Sequence, residues 1–124
     1  MQIPNKIFFK KYDLHQYNCL HFAIDVWLAL FNIDLRHLLD MWPHAIGFGD
    51  SKRALREFVK ISKPVEPCLC LFRCWGGPSR HIGTYINRRV LHISEMGVQL
   101  VALEVAQLGY NKADFYEHVM HNNS

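Results

Sequence analysis

Thirteen residues, Cys19 to Phe31, read Cys-Leu-His-Phe-Ala-Ile-Asp-Val-Trp-Leu-Ala-Leu-Phe, with no Gly or Pro among them. Cys19, Phe22, Ala23, Val26 and Leu30 recur at the helical period, and Leu20, Ile24, Trp27 and Phe31 cover another side. Only His21 and Asp25 interrupt the apolar surface. A helix that is apolar nearly all round must be enclosed by the rest of its chain. Asn18 is a good N-cap and marks the start of this one. No apolar run reaches the roughly 18 residues of a membrane span, so the covering layer has to be protein.

The rest of the chain supplies that cover in two periods. Residues 1–17 are mixed and read as an arm or a short helix. Residues 32–49 contain Pro43, Gly47 and Gly49 and read as an irregular connection. Asp50 or Ser51 is expected to cap a second helix over 51–61. Its apolar residues Leu55, Phe58 and Val59 leave Lys52, Arg53, Arg56 and Lys60 outward, and Pro64 and Pro67 end it. After Pro67 the pattern becomes strand-like. Strands are predicted over Cys68–Trp75, His81–Asn87, Val90–Glu95 and Val98–Val105. Gly76-Gly77-Pro78, Arg88-Arg89 and Met96-Gly97 are the turns between them. Such spacing suits an antiparallel meander. The tail from Gly109 adds a short strand or helix, and its His118 and His121 are expected to fray. Helices first and sheet second predict an α+β fold.

Composition excludes several classes. The chain has 124 residues, the size of one domain. Half of them are hydrophobic and 20% charged, which excludes intrinsic disorder. Fourteen Lys and Arg against 11 Asp and Glu give a formal charge of +3. The basic residues are scattered, with Arg88-Arg89 the tightest cluster, so no stripe exists for a phosphate backbone and no nucleic-acid partner is expected. The eight His would raise the charge in mildly acidic conditions. Ile7-Phe8-Phe9 between Lys6 and Lys10 is too short for a signal-peptide core. The expectation is synthesis in the cytoplasm without a general secretory signal, with delivery by other means if the protein acts elsewhere.

The cysteines are Cys19, Cys68, Cys70 and Cys74. The last three, at i, i+2 and i+6, lack the paired spacing of zinc sites. They are read as reduced thiols that share a parity and face the core of one strand. No metal and no organic cofactor is expected.

Cys19 stands at the first turn of a buried helix, where backbone N–H groups and the macrodipole favour an anion. That setting lowers a thiol pKa and makes a nucleophile; the alternative is a small core residue. His81 follows a Gly-Gly-Pro turn and opens the apolar run His81-Ile82-Gly83-Thr84-Tyr85-Ile86. Gly83, on the same strand face, leaves room for a neighbour. A His there can take a proton from a thiol and return it to a leaving group. His92 lies between Leu91 and Ile93 and must find a hydrogen-bond partner. Paired through the Arg88-Arg89 turn, it could hold His81 in the useful tautomer, as the third member of a triad does. His21 and Asp25 form an i, i+4 pair on the helix. Tyr17, Asn18 and Trp75 are candidate substrate contacts; Tyr17 and Trp75 could equally be packing residues.

Three segments carry a family resemblance in this order. Tyr17-Asn18-Cys19-Leu20-His21-Phe22 resembles the nucleophile helix of NlpC-like papain-fold cysteine peptidases. Arg80-His81-Ile82-Gly83-Thr84-Tyr85-Ile86 is similar to their His-Val-Gly-Ile-Tyr strand, and Val90-Leu91-His92-Ile93-Ser94 to the strand with the third polar residue. Gly97-Val98 and Phe115-Tyr116 resemble the compact phage and prophage members, so the likeness spans residues 12–118. It implies a papain-like α+β fold with the nucleophile helix on an antiparallel sheet of four or more strands. It further implies hydrolysis of amide bonds in peptidoglycan peptides, with Cys19 as nucleophile, His81 as base and His92 as the orienting residue. The implied setting is a phage tail or a contact-delivered antibacterial protein, acting in the periplasm or cell wall or within a virion tail. Its implied partners are tail or secretion-system components or an immunity protein. Many members have Asp before the Cys and Ser-Gly after it, where this chain has Asn18 and Leu20-His21; the bond cleaved stays open. Asn-Cys-x-His-Phe also resembles the related lipid acyltransferases, in which the His precedes the Cys. An acyltransferase or deamidase using the same triad, or a catalytically silent tail component, are the alternatives.

Overall fold

The computed structural model describes residues 1–42, 54–77 and 79–122. Helix α1 spans Cys19–Phe31, where the Gly- and Pro-free run predicts it. Its start is fixed by a reciprocal cap. The Asn18 side chain accepts the Leu20 N–H at 2.9 Å, and His21 Nδ1 accepts the Asn18 N–H at 3.2 Å, so donors left over at the helix start are satisfied. Asn32 ends the helix in the left-handed region, its N–H donating to Leu28.

Six antiparallel strands cover the helix: β1 (Phe58–Ile61), β2 (Cys68–Arg73), β3 (Ser79–Ile86), β4 (Arg89–Ser94), β5 (Gly97–Val101) and β6 (Lys112–His118). Their order is β1-β6-β2-β3-β4-β5, so the last strand in the chain lies between the first two. The architecture is α+β, as the sequence predicts. Helix α1 packs on β3 and β4. Leu69, Leu71, Ile82 and Leu91 join Phe22, Val26 and Trp27 in the core beneath it. Side chains of opposite parity, Cys68, Cys70, Phe72, Val90 and Phe115, form a second core on the other face with Ala106. β2 is therefore buried on both sides along nearly its whole length. Each fully buried Leu or Ile in these layers contributes roughly 1.5–3 kcal/mol.

Several boundaries differ from expectation. The helix predicted over 51–61 does not form in its second half. Phe58–Ile61 is β1, paired with β6 from Phe58↔His118 to Ile61↔Phe115. The stretch contains β-branched Val59 and Ile61, and β6 offers a ladder that helical spacing cannot match. Residues 43–53, with the expected cap at Asp50 or Ser51, lie outside the described residues. Before them, Leu38–Met41 forms a short helix, α2, within the connection expected to be irregular. The turn predicted at Arg88-Arg89 falls one residue earlier. Asn87 (φ 53°) and Arg88 (φ 60°) are both left-handed, as a two-residue hairpin requires. Strand β5 stops at Val101, and Leu103–Ala106 coils into α3, which puts Ala106 into the second core. The tail forms β6 and then α4 (Val119–Asn122). His118 is not frayed: it is 4% exposed and packs edge-on against Phe58. The arm contains a 3₁₀ helix, Asn5–Phe9, that buries Ile7 and packs against β5.

Cys68 and Cys70 face the second core as expected, and Cys74 does not. The ladder shifts register between Phe72 and Arg73 and the strand ends. Cys74 lies beyond it, half-buried, with its thiol donating to the Gly109 carbonyl at 3.7 Å. All four cysteines are free thiols. No described helix is long and apolar enough to cross a membrane.

Candidate active site

Strands β3 and β4 pair only from Thr84↔Leu91 to Ile86↔Arg89. Below Thr84, β3 remains paired with β2, while β4 beyond Leu91 stays with β5. The two strands therefore part toward the ends that carry His81 and His92. Trp27 Nε1 donates to Thr84 Oγ1 at 3.0 Å, deep in the core, and so fastens α1 where the parting begins. The N-terminal end of α1 meets the opening, where the backbone N–H of Ile82, the residue after His81, acts to lower the Cys19 thiol pKa.

His81 Nε2 and His92 Nδ1 are 2.8 Å apart, with the rings nearly perpendicular. The side chain that would otherwise block this meeting is missing at Gly83. A Cβ there would stand 2.6 Å from Val90 Cγ1 and 3.4 Å from His92 Cβ. His81 is 9% exposed. Phe72, opposite it in the β2–β3 register, lies 5.8 Å from its ring at 30°. Tyr110 lies 5.9 Å away and almost parallel, at 6°.

A cleft of about 600 Å³ runs over these groups. Cys19, His81 and His92 all line it, with Asn18, Tyr12, Tyr110, Arg80, Ser94 and Glu95, and Leu14, Met96, Val105 and Leu108 supply apolar wall. No hydrogen bond joins Cys19 to His81; what unites them is the shared cleft.

Burial dominates the electrostatics. It pulls His81 down to about 4, and the neighbouring His92 adds to the effect. His92 is lowered by burial too. The Cys19 thiol is pushed up to about 11. The N–H groups of Ile82, Leu20 and Cys19 itself oppose that rise and lose to desolvation. This corrects the expectation that the helix start lowers the thiol pKa. At neutral pH, thiol and imidazole are both uncharged.

Of the residues expected to touch substrate, Asn18 lines the cleft, but its amide is committed to the helix cap and to the Leu14 carbonyl at 3.3 Å. Tyr17 does not line it; its hydroxyl donates to the Asp25 carboxylate. Trp75 is 83% exposed in the turn after β2, also away from the cleft. The expected His21–Asp25 pair is absent because the cap takes His21 Nδ1 and Tyr17 takes Asp25. Tyr12, Arg80, Glu95 and Tyr110 were not singled out in the sequence. Tyr12 and Tyr110 lie far from each other in the chain and in no motif; only the placement of the arm and of β6 brings them to the cleft. Among the described residues, no group of His, Cys, Asp or Glu is placed to hold a metal. Comparison with known proteins matches the chain to no family model, no curated protein and no solved structure.

Proposed function

We propose that the chain is a papain-fold cysteine hydrolase of the NlpC-like kind, acting on amide bonds in peptidoglycan peptides. The observation that carries the reading is the His81 Nε2–His92 Nδ1 contact of 2.8 Å in the wall of a cleft that Cys19 also lines. With Nε2 held by His92, the Nδ1 nitrogen of His81 is the one left for the thiol. Because thiol and imidazole rest uncharged, the proton moves as the bond forms. Cys19 Sγ attacks the amide carbonyl while its proton passes to His81 Nδ1. The carbonyl oxygen becomes an oxyanion beside the backbone N–H of Cys19. Collapse breaks the C–N bond, and His81 returns the proton to the departing amine. Water then attacks the thioester carbonyl as His81 takes its proton; the C–S bond breaks to free the acid, and His81 returns that proton to Cys19 Sγ.

One observation favours a second reading. Cys19 is only 6% exposed and burial keeps its thiol protonated, as suits a tail or assembly component that retains the fold without the activity. Digestion of purified muropeptides, read by mass spectrometry, separates the two. The hydrolase reading requires a cleaved amide that disappears in Cys19→Ala. Intact muropeptides throughout would support the silent component.

A further inference from the structure

We propose that Tyr110 is a positioning residue, whose ring lies along the His81 imidazole and holds it at the angle the Cys19 thiol needs. The proposal rests on the reading of His81 as the base. A single hydrogen bond to His92 fixes one corner of the His81 ring and leaves it free to tilt about that corner. Tilt is removed only by packing on the ring faces. Phe72 packs against the ring at 5.8 Å, and Tyr110 at 5.9 Å with the planes within 6° of parallel. Phe72 and Tyr110 lie 5.7 Å from each other, so together they form one continuous wall along one side of the imidazole. The effect on rate follows from orientation: a small misplacement of a catalytic group far outweighs its effect on stability.

Tyr110 sits in a connection, where a stacked ring would ordinarily be mobile. Here the connection is tied down on both sides. The Cys74 thiol donates to the Gly109 carbonyl at 3.7 Å, and the Asn111 N–H donates to the Arg73 carbonyl at 3.0 Å. The Trp75 N–H donates to Asn111 Oδ1 at 3.1 Å, and the Tyr110 N–H reaches Gln107 at 2.9 Å. Three of these four bonds come from Arg73, the last residue of β2 (the strand that carries Phe72), and from Cys74 and Trp75 just after it. One strand thus sets both surfaces against which the imidazole rests. Gly109, at φ +89°, provides the backbone conformation that brings Tyr110 over. The half-buried Cys74, expected to face the core of a strand, belongs to this brace instead.

The test compares wild type, Tyr110→Phe and Tyr110→Leu. The readouts are the His81 ring signal followed by NMR from pH 3 to 8, the rate of Cys19 alkylation by iodoacetamide, muropeptide turnover and the melting temperature. Tyr110→Leu is expected to move the His81 titration toward that of an ordinary histidine and to slow alkylation on the order of tenfold. Tyr110→Phe keeps the ring and is expected to restore both. Asn111→Ala, which loosens the brace and retains the tyrosine, should shift His81 in the same direction even if Tyr110→Leu fails to fold. An unchanged His81 titration in Tyr110→Leu or in Asn111→Ala overturns the proposal. So does a Tyr110→Phe variant as damaged as Tyr110→Leu, since the hydroxyl would then be the active part. Turnover that is absent in wild type, alongside a His81 titration that depends on Tyr110, removes the hydrolase reading and leaves the brace standing.

Discussion

Acidification from pH 7 to 4 probes how completely His81 is enclosed. In the unfolded chain His81 titrates at the ordinary 6.5; in the fold, burial and then His92 bring it down to about 4. Between those values the unfolded chain binds more protons than the native one. The stability that His81 contributes is therefore full above pH 6.5 and is lost as the pH falls through 4. The difference amounts to about 3 kcal/mol, a sizeable share of the roughly 5–15 kcal/mol that holds a domain together. Carboxylates also titrate in this window, so wild type alone would not isolate the histidine. Urea unfolding of wild type and His81→Gln at pH 7, 6, 5 and 4 does, because both chains carry the same carboxylates and His92. The wild type should lose about 3 kcal/mol more than the variant across the range, or on the order of 10 °C in melting temperature. Parallel acid profiles would show a solvated imidazole and refute the argument from its walls.

Three further expectations follow from the same geometry. Cys19→Ala should abolish muropeptide turnover at a stability cost of about 1 kcal/mol, whereas His92→Ala should slow turnover less and cost about 1–3 kcal/mol, because His81 Nε2 loses its buried partner; turnover and melting of both variants check this, and wild-type turnover in Cys19→Ala would place the nucleophile elsewhere. In His81→Gln, which lacks the base, alkylation of Cys19 should climb about tenfold per pH unit from 8 to 10, since only thiolate then reacts and burial pushes the thiol up to about 11; a rate already level by pH 8 in that variant would contradict that burial. Gly83→Ala should lower stability by about 1–3 kcal/mol, given a Cβ 2.6 Å from Val90 Cγ1; a melting temperature equal to wild type would mean that β3 and β4 are not so closely apposed.

What could be read from the sequence was local. Helix α1 announces itself through thirteen consecutive residues and a capping Asn. Strands β2, β3 and β4 show through short apolar runs between turn residues. That His81 and His92 lie toward the same end of one hairpin was legible from the turn between them, although the turn falls one residue earlier than Arg88-Arg89 and the strands part before the two rings meet. The split between β3 and β4 was not legible, since nothing local marks where a ladder stops. Strand β1 escaped because Leu55, Phe58 and Val59 also fit a helix, and its partner β6 lies more than fifty residues away. Tyr110 and Tyr12 escaped for the same reason: long-range placement brings them to the cleft. A helix start alone suggests a depressed thiol pKa, and only the surrounding layers reveal how little water reaches Cys19.

The seat of β6 between β1 and β2 has a consequence for how the chain is made. On a ribosome β2 emerges more than forty residues before the strand that occupies its outer edge. During that interval Cys-Leu-Cys-Leu-Phe-Arg presents an unpaired, apolar edge, and sequences of this kind readily recruit a like strand from another nascent chain. Until Lys112–His118 appears, that edge stays open to such pairing. Slow synthesis or crowded polysomes should then reduce the soluble yield more than they would for a simple meander, even where the finished protein is stable.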